Sequence, residues 1–262
     1  MEIVILPDGA AVGEAAAARI AAIVREKPEA VLGLSTGSSP LGTYRALAER
    51  VRRGDADLSR ARGFALDEYV GLPPGSPQSY AATIARDAVE PLGLDPDRVR
   101  VPPGDAEDLE SACAEYEQAM RDAGGVDVQL LGLGRNGHIG FNEPTSSFAS
   151  RTRMKTLAPR TREDNARFFG DDLDAVPLHC VTQGLGTILE ARRLVLVAQG
   201  EAKAAAVAAT VEGPLSAMVP GSALQLHPAA TVLLDEAAAS QLQLADYYRF
   251  VEEHRPGWQR VE

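Results

Sequence analysis

Seven short runs of apolar residues, spread along the chain, limit its fold more than any other feature of the sequence. They lie near residues 3–6, 31–35, 63–66, 99–101, 126–132, 193–198 and 230–234. A strand with one wet face alternates apolar and polar residues, whereas a strand covered on both faces is apolar throughout. Helical spacing fills the gaps between them. Val12, Ala16, Ile20, Ile23 and Val24 share one helical face. Leu109, Ala112, Cys113, Tyr116 and Met120 share another, with Asp105 placed to cap it. This alternation predicts an α/β fold: an open, mostly parallel, Rossmann-like sheet with helices on both faces. No linker and no internal repeat divides residues 1–262, so a single domain is expected. Residues 151–179 form the least regular and most charged stretch, and they read as a helical lid.

Charge excludes several classes of function. The 26 Lys and Arg residues face 37 Asp and Glu residues, a net charge of -11. A general nucleic-acid binder needs surplus base to displace counterions from phosphates, so no nucleic-acid partner is expected. An anionic small substrate requires that a few Arg and Lys be gathered locally. No apolar run approaches the ~18 residues of a membrane helix. The start, MEIVILPDG, lacks the basic flank and long apolar run of a secretory signal, so a cytoplasmic location is expected. Cys113 and Cys180 are too few for a disulfide framework or a cysteine zinc site, and Cys113 falls in a helical core stripe. His179, His227 and His254 are scattered and form no spaced ligand pair, so no metal is expected. A G-x-S-x-G nucleophile elbow is missing too.

In an open parallel sheet, ligands bind beyond the carboxyl ends of the strands. Four of the predicted strand ends carry groups that a plain turn would not need. After the second run come Ser35, Thr36, Gly37, Ser38, Ser39 and Pro40. Hydroxyls and a glycine at a helix N-terminus make a phosphate cradle, although the same residues would serve an ordinary capped turn. Without a Gly-Lys-Ser/Thr ending it is no P-loop. After the third run come Asp67 and Glu68, whose side chains point opposite ways on a strand, so only one can face a ligand. Partly desolvated, that acid would be a general base; in water it would be a turn residue. The fifth run leads into Gly132-Leu-Gly-Arg-Asn-Gly-His138-Ile-Gly-Phe-Asn-Glu143-Pro144, where glycines permit close backbone approach. There His138 brings a ring that can both give and take a proton, with Glu143 within reach to orient it. The sixth run ends in Gln199-Gly-Glu-Ala-Lys203.

Several motifs in order resemble the glucosamine-6-phosphate deaminases. They are Leu-Gly-Leu-Ser-Thr-Gly-Ser-Ser-Pro (32–40), Asp-Glu-Tyr-Val-Gly-Leu (67–72), Gly-His-Ile-Gly-Phe-Asn-Glu-Pro (137–144) and Ser-Arg-Thr-Arg (150–153). Asn-Ala-Arg-Phe-Phe (165–169), Val-Glu-Gly (211–213) and Leu-Gln-Leu-His-Pro (224–228) extend the likeness over nearly the whole chain. The resemblance implies conversion of glucosamine 6-phosphate to fructose 6-phosphate and ammonia, in amino-sugar catabolism, without metal or cofactor. It implies that His138 opens the sugar ring, that Asp67 carries a proton from carbon 2 toward carbon 1, and that Glu143 orients His138. Arg167 and Lys203 would hold the phosphate with the loop Ser35–Ser39. Ser146, Arg153, Lys155 and Thr156 match positions that bind an activator, N-acetylglucosamine 6-phosphate, between subunits of allosteric relatives. A homo-oligomer, hexameric in such relatives, is the corresponding expectation. One residue departs from the pattern. Asn136 stands where many members carry Asp, and it can fix the imidazole tautomer but cannot stabilise an imidazolium by charge; the favoured reading is a tolerated variant in which Glu143 alone suffices, the alternative a slower ring opening. Two alternatives remain: a 6-phosphogluconolactonase-type hydrolase, and a non-catalytic sugar-phosphate sensor.

Overall fold

The computed structural model describes residues 1–256. Ten strands run in chain order: β1 (Glu2–Leu6), β2 (Val31–Leu34), β3 (Arg62–Ala65), β4 (Asp67–Tyr69), β5 (Val99–Arg100), β6 (Val128–Gly132), β7 (Arg153–Thr156), β8 (His179–Thr182), β9 (Leu194–Ala198) and β10 (Ala230–Asp235). Seven of them, the seven foreseen apolar runs, build one sheet in the order β1-β10-β9-β6-β2-β3-β5. Every pairing in it is parallel.

The helices are α1 (Gly9–Glu26), α2 (Ser38–Arg53), α3 (Tyr80–Ile84), α4 (Glu90–Leu92), α5 (Leu109–Asp122), α6 (Pro159–Asn165), α7 (Leu185–Leu189), α8 (Ala204–Val211) and α9 (Ala245–Glu253). Two separate apolar cores explain why the strands lack polar alternation. Val195 and Val197 face the core shared with Val12, Ile20 and Leu47 of α1 and α2. Leu194 and Leu196 face the opposite core, with Tyr116 of α5, Ile188 of α7 and Val207 of α8. Successive residues of one strand thus enter opposite layers, and both layers are closed by helices.

Strand order locates the pocket. From β2 the chain proceeds outward to β3 and β5, and from β6 it proceeds the other way to β9 and β10, with the first strand, β1, at the edge beyond β10. The reversal between β2 and β6 is the crevice where doubly wound sheets bind ligands. The chemically rich ends foreseen from sequence belong to β3, β2, β6 and β9, four adjacent strands.

A second sheet was not foreseen. It has the order β4-β8-β7 and is antiparallel. After Leu66 the chain leaves the large sheet, and β4 sets Asp67 opposite Thr182 of β8. The stretch 151–179 is more regular than its sequence suggests: it holds β7, α6 and a 3-10 turn, Ala166–Phe169. Their apolar side falls on a third small cluster that includes Tyr69, Phe141, Leu157 and Val176. The helix cap on α5 also differs, being Asp108, which accepts from the Ser111 N–H, rather than Asp105.

Glu117 breaks the apolar face of α5, yet it is buried. One carboxylate oxygen accepts from the Thr152 N–H (2.8 Å), the Thr152 hydroxyl (2.6 Å) and the Thr187 hydroxyl. The other accepts from Arg151. Burial pushes this carboxyl up, but those donors outweigh it and hold it below its ordinary range. Glu117 therefore anchors the start of β7 and α7 to α5. Glu117→Ala would leave several donors without a partner and should destabilise the chain by about 2–4 kcal/mol in denaturant melts. A loss under about 1 kcal/mol would show that water replaces the carboxylate.

Candidate active site

The four strand ends open on one cavity of about 500 Å³, lined by Ser35–Ser39, Asp67, His138, Arg167 and Lys203 among others. These nine residues, named from sequence, therefore share one site. Asn136 and Glu143 stand behind His138 and complete the set.

At the β3 end, the two neighbouring acids divide as strand geometry requires. Glu68 turns away and accepts from the N–H groups of Tyr69 (2.7 Å), Tyr80 (2.9 Å) and Ala81 (2.8 Å), so it anchors the start of α3. Asp67 faces the cavity and is 5% exposed. Among the described residues no side chain or N–H donates to its carboxylate. Burial, with a smaller contribution from Glu68, raises it to about 8. A carboxyl so placed is basic enough to take a proton from carbon, which an ordinary solvated aspartate is not.

At the β6 end, three side chains form a chain of contacts. The Asn136 Oδ1 accepts from the His138 N–H (3.2 Å) and lies 2.7 Å from His138 Nδ1. The Asn136 Nδ2 donates to Glu143 Oε2 at 2.7 Å. Because a carboxylate only accepts and a backbone N–H only donates, these two neighbours settle which way the amide points. Its oxygen then places the imidazole proton on Nδ1 and leaves Nε2 as an acceptor. Glu143 also accepts from the Thr161 hydroxyl (2.5 Å) and stands 3.7 Å from His138 Nδ1. Burial pushes Glu143 up, but His138, Thr161 and Asn136 together bring it down to about 2. The ring lies against Gly134, where a Cβ would fall 2.3 Å from its Cε1, so glycine is required there.

The remaining two ends supply positive potential. Gly37, at φ 98°, turns the chain into α2, whose first N–H groups receive no side-chain cap. An uncapped helix N-terminus facing a cavity is suited to an anion. Opposite it, Lys203 donates to the Leu133 carbonyl at 2.7 Å. Burial lowers its pKa, Asp164 acts against that, and Arg135 and Arg167 lower it further. A net charge of -11 is thus compatible with a locally cationic cleft.

Sequence reasoning did not single out Arg135, Asp164, Tyr69, Tyr80 or Asn165, all of which line the cavity. Asn165 of α6 donates to the Tyr69 hydroxyl at 2.9 Å, and the Tyr80 hydroxyl lies 3.3 Å from it. The covering segment thereby bonds to the strand that bears Asp67. Tyr69, Arg135 and Asn165 did stand inside the sequence motifs, whereas nothing local marked Tyr80 or Asp164.

The residues of the expected activator site are partly brought together. Arg153 donates to Asn142 Oδ1 (3.0 Å) and to the Ser146 hydroxyl (3.3 Å). Lys155 shares its face of β7, whereas Thr156 alternates to the other face and its hydroxyl meets His179 at 3.3 Å. Among the described residues no group of three His, Cys, Asp or Glu could hold a metal ion, and no helix is long and apolar enough to cross a membrane.

Comparison with known proteins agrees with this geometry. The chain is 58% identical over 261 residues to a glucosamine-6-phosphate deaminase of Streptomyces coelicolor, covering 100% of both chains. It is 56% identical to that of Mycolicibacterium smegmatis over the same span, again covering 100% of both. Among solved structures, it is similar to a monomeric glucosamine-6-phosphate deaminase, at 42% identity and a TM-score of 0.89, over 92% of this chain and 100% of that one. A 6-phosphogluconolactonase from Trypanosoma cruzi shares the fold at 19% identity and a TM-score of 0.72, over 92% of this chain and 97% of that one. The model of the glucosamine-6-phosphate isomerases/6-phosphogluconolactonase family matches residues 9–234. Sheet order, cavity and sequence converge, and the chain belongs to that family.

Proposed function

We propose that this chain converts glucosamine 6-phosphate and water to fructose 6-phosphate and ammonia, in the cytoplasm, where charge confines phosphorylated sugars. The buried, unpartnered carboxylate of Asp67 facing a cationic cavity is the observation that carries this reading. Lactone hydrolysis calls for an activated water, not for a base that lifts a proton from carbon. A sensor would have no use for an aspartate held at such cost.

In this reading the phosphate lies at the N-terminus of α2 between Arg167 and Lys203, which places the sugar across the ends of β2 and β6. His138 takes the anomeric hydroxyl proton on Nε2 and returns it to the ring oxygen, opening the ring. Asn136 keeps Nδ1 protonated, and Glu143 supplies the negative charge that favours the transient imidazolium. Asp67 then removes the carbon 2 proton while the substrate's ammonium passes one of its own protons to oxygen 1, giving an enolamine, and Asp67 returns the carbon 2 proton to carbon 1. That leaves an imine at carbon 2, to which water adds as ammonia departs. The substrate's own ammonium, close to carbon 2, favours the ionised form of Asp67 once bound.

We also infer that Arg153, Ser146 and Lys155 hold a second sugar phosphate, since Arg153 is half-buried and has no carboxylate partner among the described residues. An oligomer whose substrate saturation changes on adding N-acetylglucosamine 6-phosphate supports this second site. A monomer by light scattering, with hyperbolic saturation unmoved by that compound, eliminates it.

Equimolar ammonia and fructose 6-phosphate should be released from glucosamine 6-phosphate in the presence of a chelator. If 6-phosphogluconolactone is turned over instead, the lactonase reading replaces this one. Asp67→Asn should lower kcat by at least ~10³-fold. It should also stabilise the chain. With its pKa raised to about 8 in the folded state, Asp67 holds a proton that the unfolded chain has released, so stability falls as pH rises from about 4 to 8. The variant escapes that cost: equal to the parent near pH 3, it should melt about 2–4 °C or more higher at pH 8. kcat/KM should fall with unit slope below about pH 8, and the corresponding limb of kcat should lie at lower pH because the bound ammonium favours the carboxylate. Asn136→Asp places a second carboxylate on His138 and should raise the ring-opening rate. An unchanged turnover and pH profile would show that Asn136 does not limit the rate.

A further inference from the structure

The phosphate end of the cavity carries one cation more than the sequence motifs account for, and one anion that they omit. Arg135 follows Gly134 on the loop beyond β6 and lines the cavity together with Arg167 and Lys203. Its Nη1 lies 3.7 Å from Oδ1 of Asp164, on α6. Arg160 Nε stands 3.6 Å from the same oxygen. The side chains of Arg135 and Asp164 are 46% and 32% exposed, a pair that water screens and that little holds together. Lys203 senses Asp164, Arg135 and Arg167 alike, so these four charges form one cluster.

We propose that Arg135 is a third cationic ligand of the substrate phosphate, and that Asp164 is an internal counter-anion which Arg135 leaves when the phosphate arrives. A phosphate dianion offers more charge than one carboxylate, and a guanidinium can grip it with two parallel donors. Lys203 already spends one donor on the Leu133 carbonyl. The exchange makes affinity the difference between two ion pairs, so each partner tunes it in its own direction. The ligand class is a phosphate monoester. Only its identity as an amino-sugar phosphate rests on the proposed reaction.

Calorimetric titration of the full chain with inorganic phosphate tests the exchange without requiring turnover. Arg135→Gln should weaken phosphate binding about tenfold, and Arg135→Lys should recover part of that loss. Asp164→Asn should tighten binding about threefold or more, because no pair then has to be broken. In the Arg135→Gln background, Asp164→Asn should change binding less than about twofold. For glucosamine 6-phosphate the same losses and gains should fall on KM rather than on kcat. Wild-type phosphate affinity in Arg135→Gln would overturn the proposal. So would two single variants that move affinity the same way, as a purely structural strut requires, or effects that simply add in the double variant, as a distant field requires. A chain that shows the expected phosphate affinities but releases no ammonia would refute the proposed reaction and leave this assignment standing.

Discussion

A parallel sheet buried on both faces has no place for a polar side chain except at its ends. That constraint governs this molecule. Leu194 to Ala198 is wholly buried, with alternate residues in opposite cores, and β6 and β10 beside it are buried but for Gly132 and Thr231. Polar chemistry is therefore forced out to the carboxyl tips, where loops turn back into helices. Because the strand order reverses between β2 and β6, the two flanking loops diverge and leave an opening rather than a packed seam. Asp67, the loop 35–39, His138 and Lys203 gather there because the sheet permits them nowhere else.

Within that opening the charges are segregated by function. At one end an uncapped helix start and three cations await an anion. At the other, Asp67 is isolated from donors and so remains basic. Between them Asn136 couples His138 to Glu143 through a neutral amide. The amide fixes the tautomer, while Glu143 Oε2 stands 3.7 Å from Nδ1, near enough for its charge to act on the ring. A chain with a large surplus of acid can thus hold a basic cleft, since a few cations gathered at short range, one of them the largely buried Lys203, outweigh many scattered carboxylates screened on the surface.

The covering segment shows how far local pattern can mislead. Its charged, irregular sequence conceals a strand, β7, that pairs with β8 and through it with β4. β4 has only three residues, too few for any periodicity to register. Glu117 was invisible for a related reason: a glutamate on an apolar helical stripe normally marks the edge of the core. It is buried only because Arg151, Thr152 and Thr187 arrive from distant parts of the chain. Asp164 likewise reads as a surface acid of a short helix until α6 is folded over the cavity.

The seven sheet strands, the helix faces of α1 and α5, and the residues Asp67, His138, Glu143, Lys203 and the loop 35–39 were all legible in the sequence alone. Each announces itself locally, through unbroken apolar runs, helical spacing, or glycines and hydroxyls beside a strand end. Local pattern also required that only one of Asp67 and Glu68 face the ligand, but not which one. That choice needed α3, whose N–H groups claim Glu68. The proton-holding amide of Asn136, the Arg135–Asp164 pair and the anchor at Glu117 were likewise decided only by tertiary structure. In each, a charge or dipole takes its meaning from partners remote in sequence, and no window along the chain contains both.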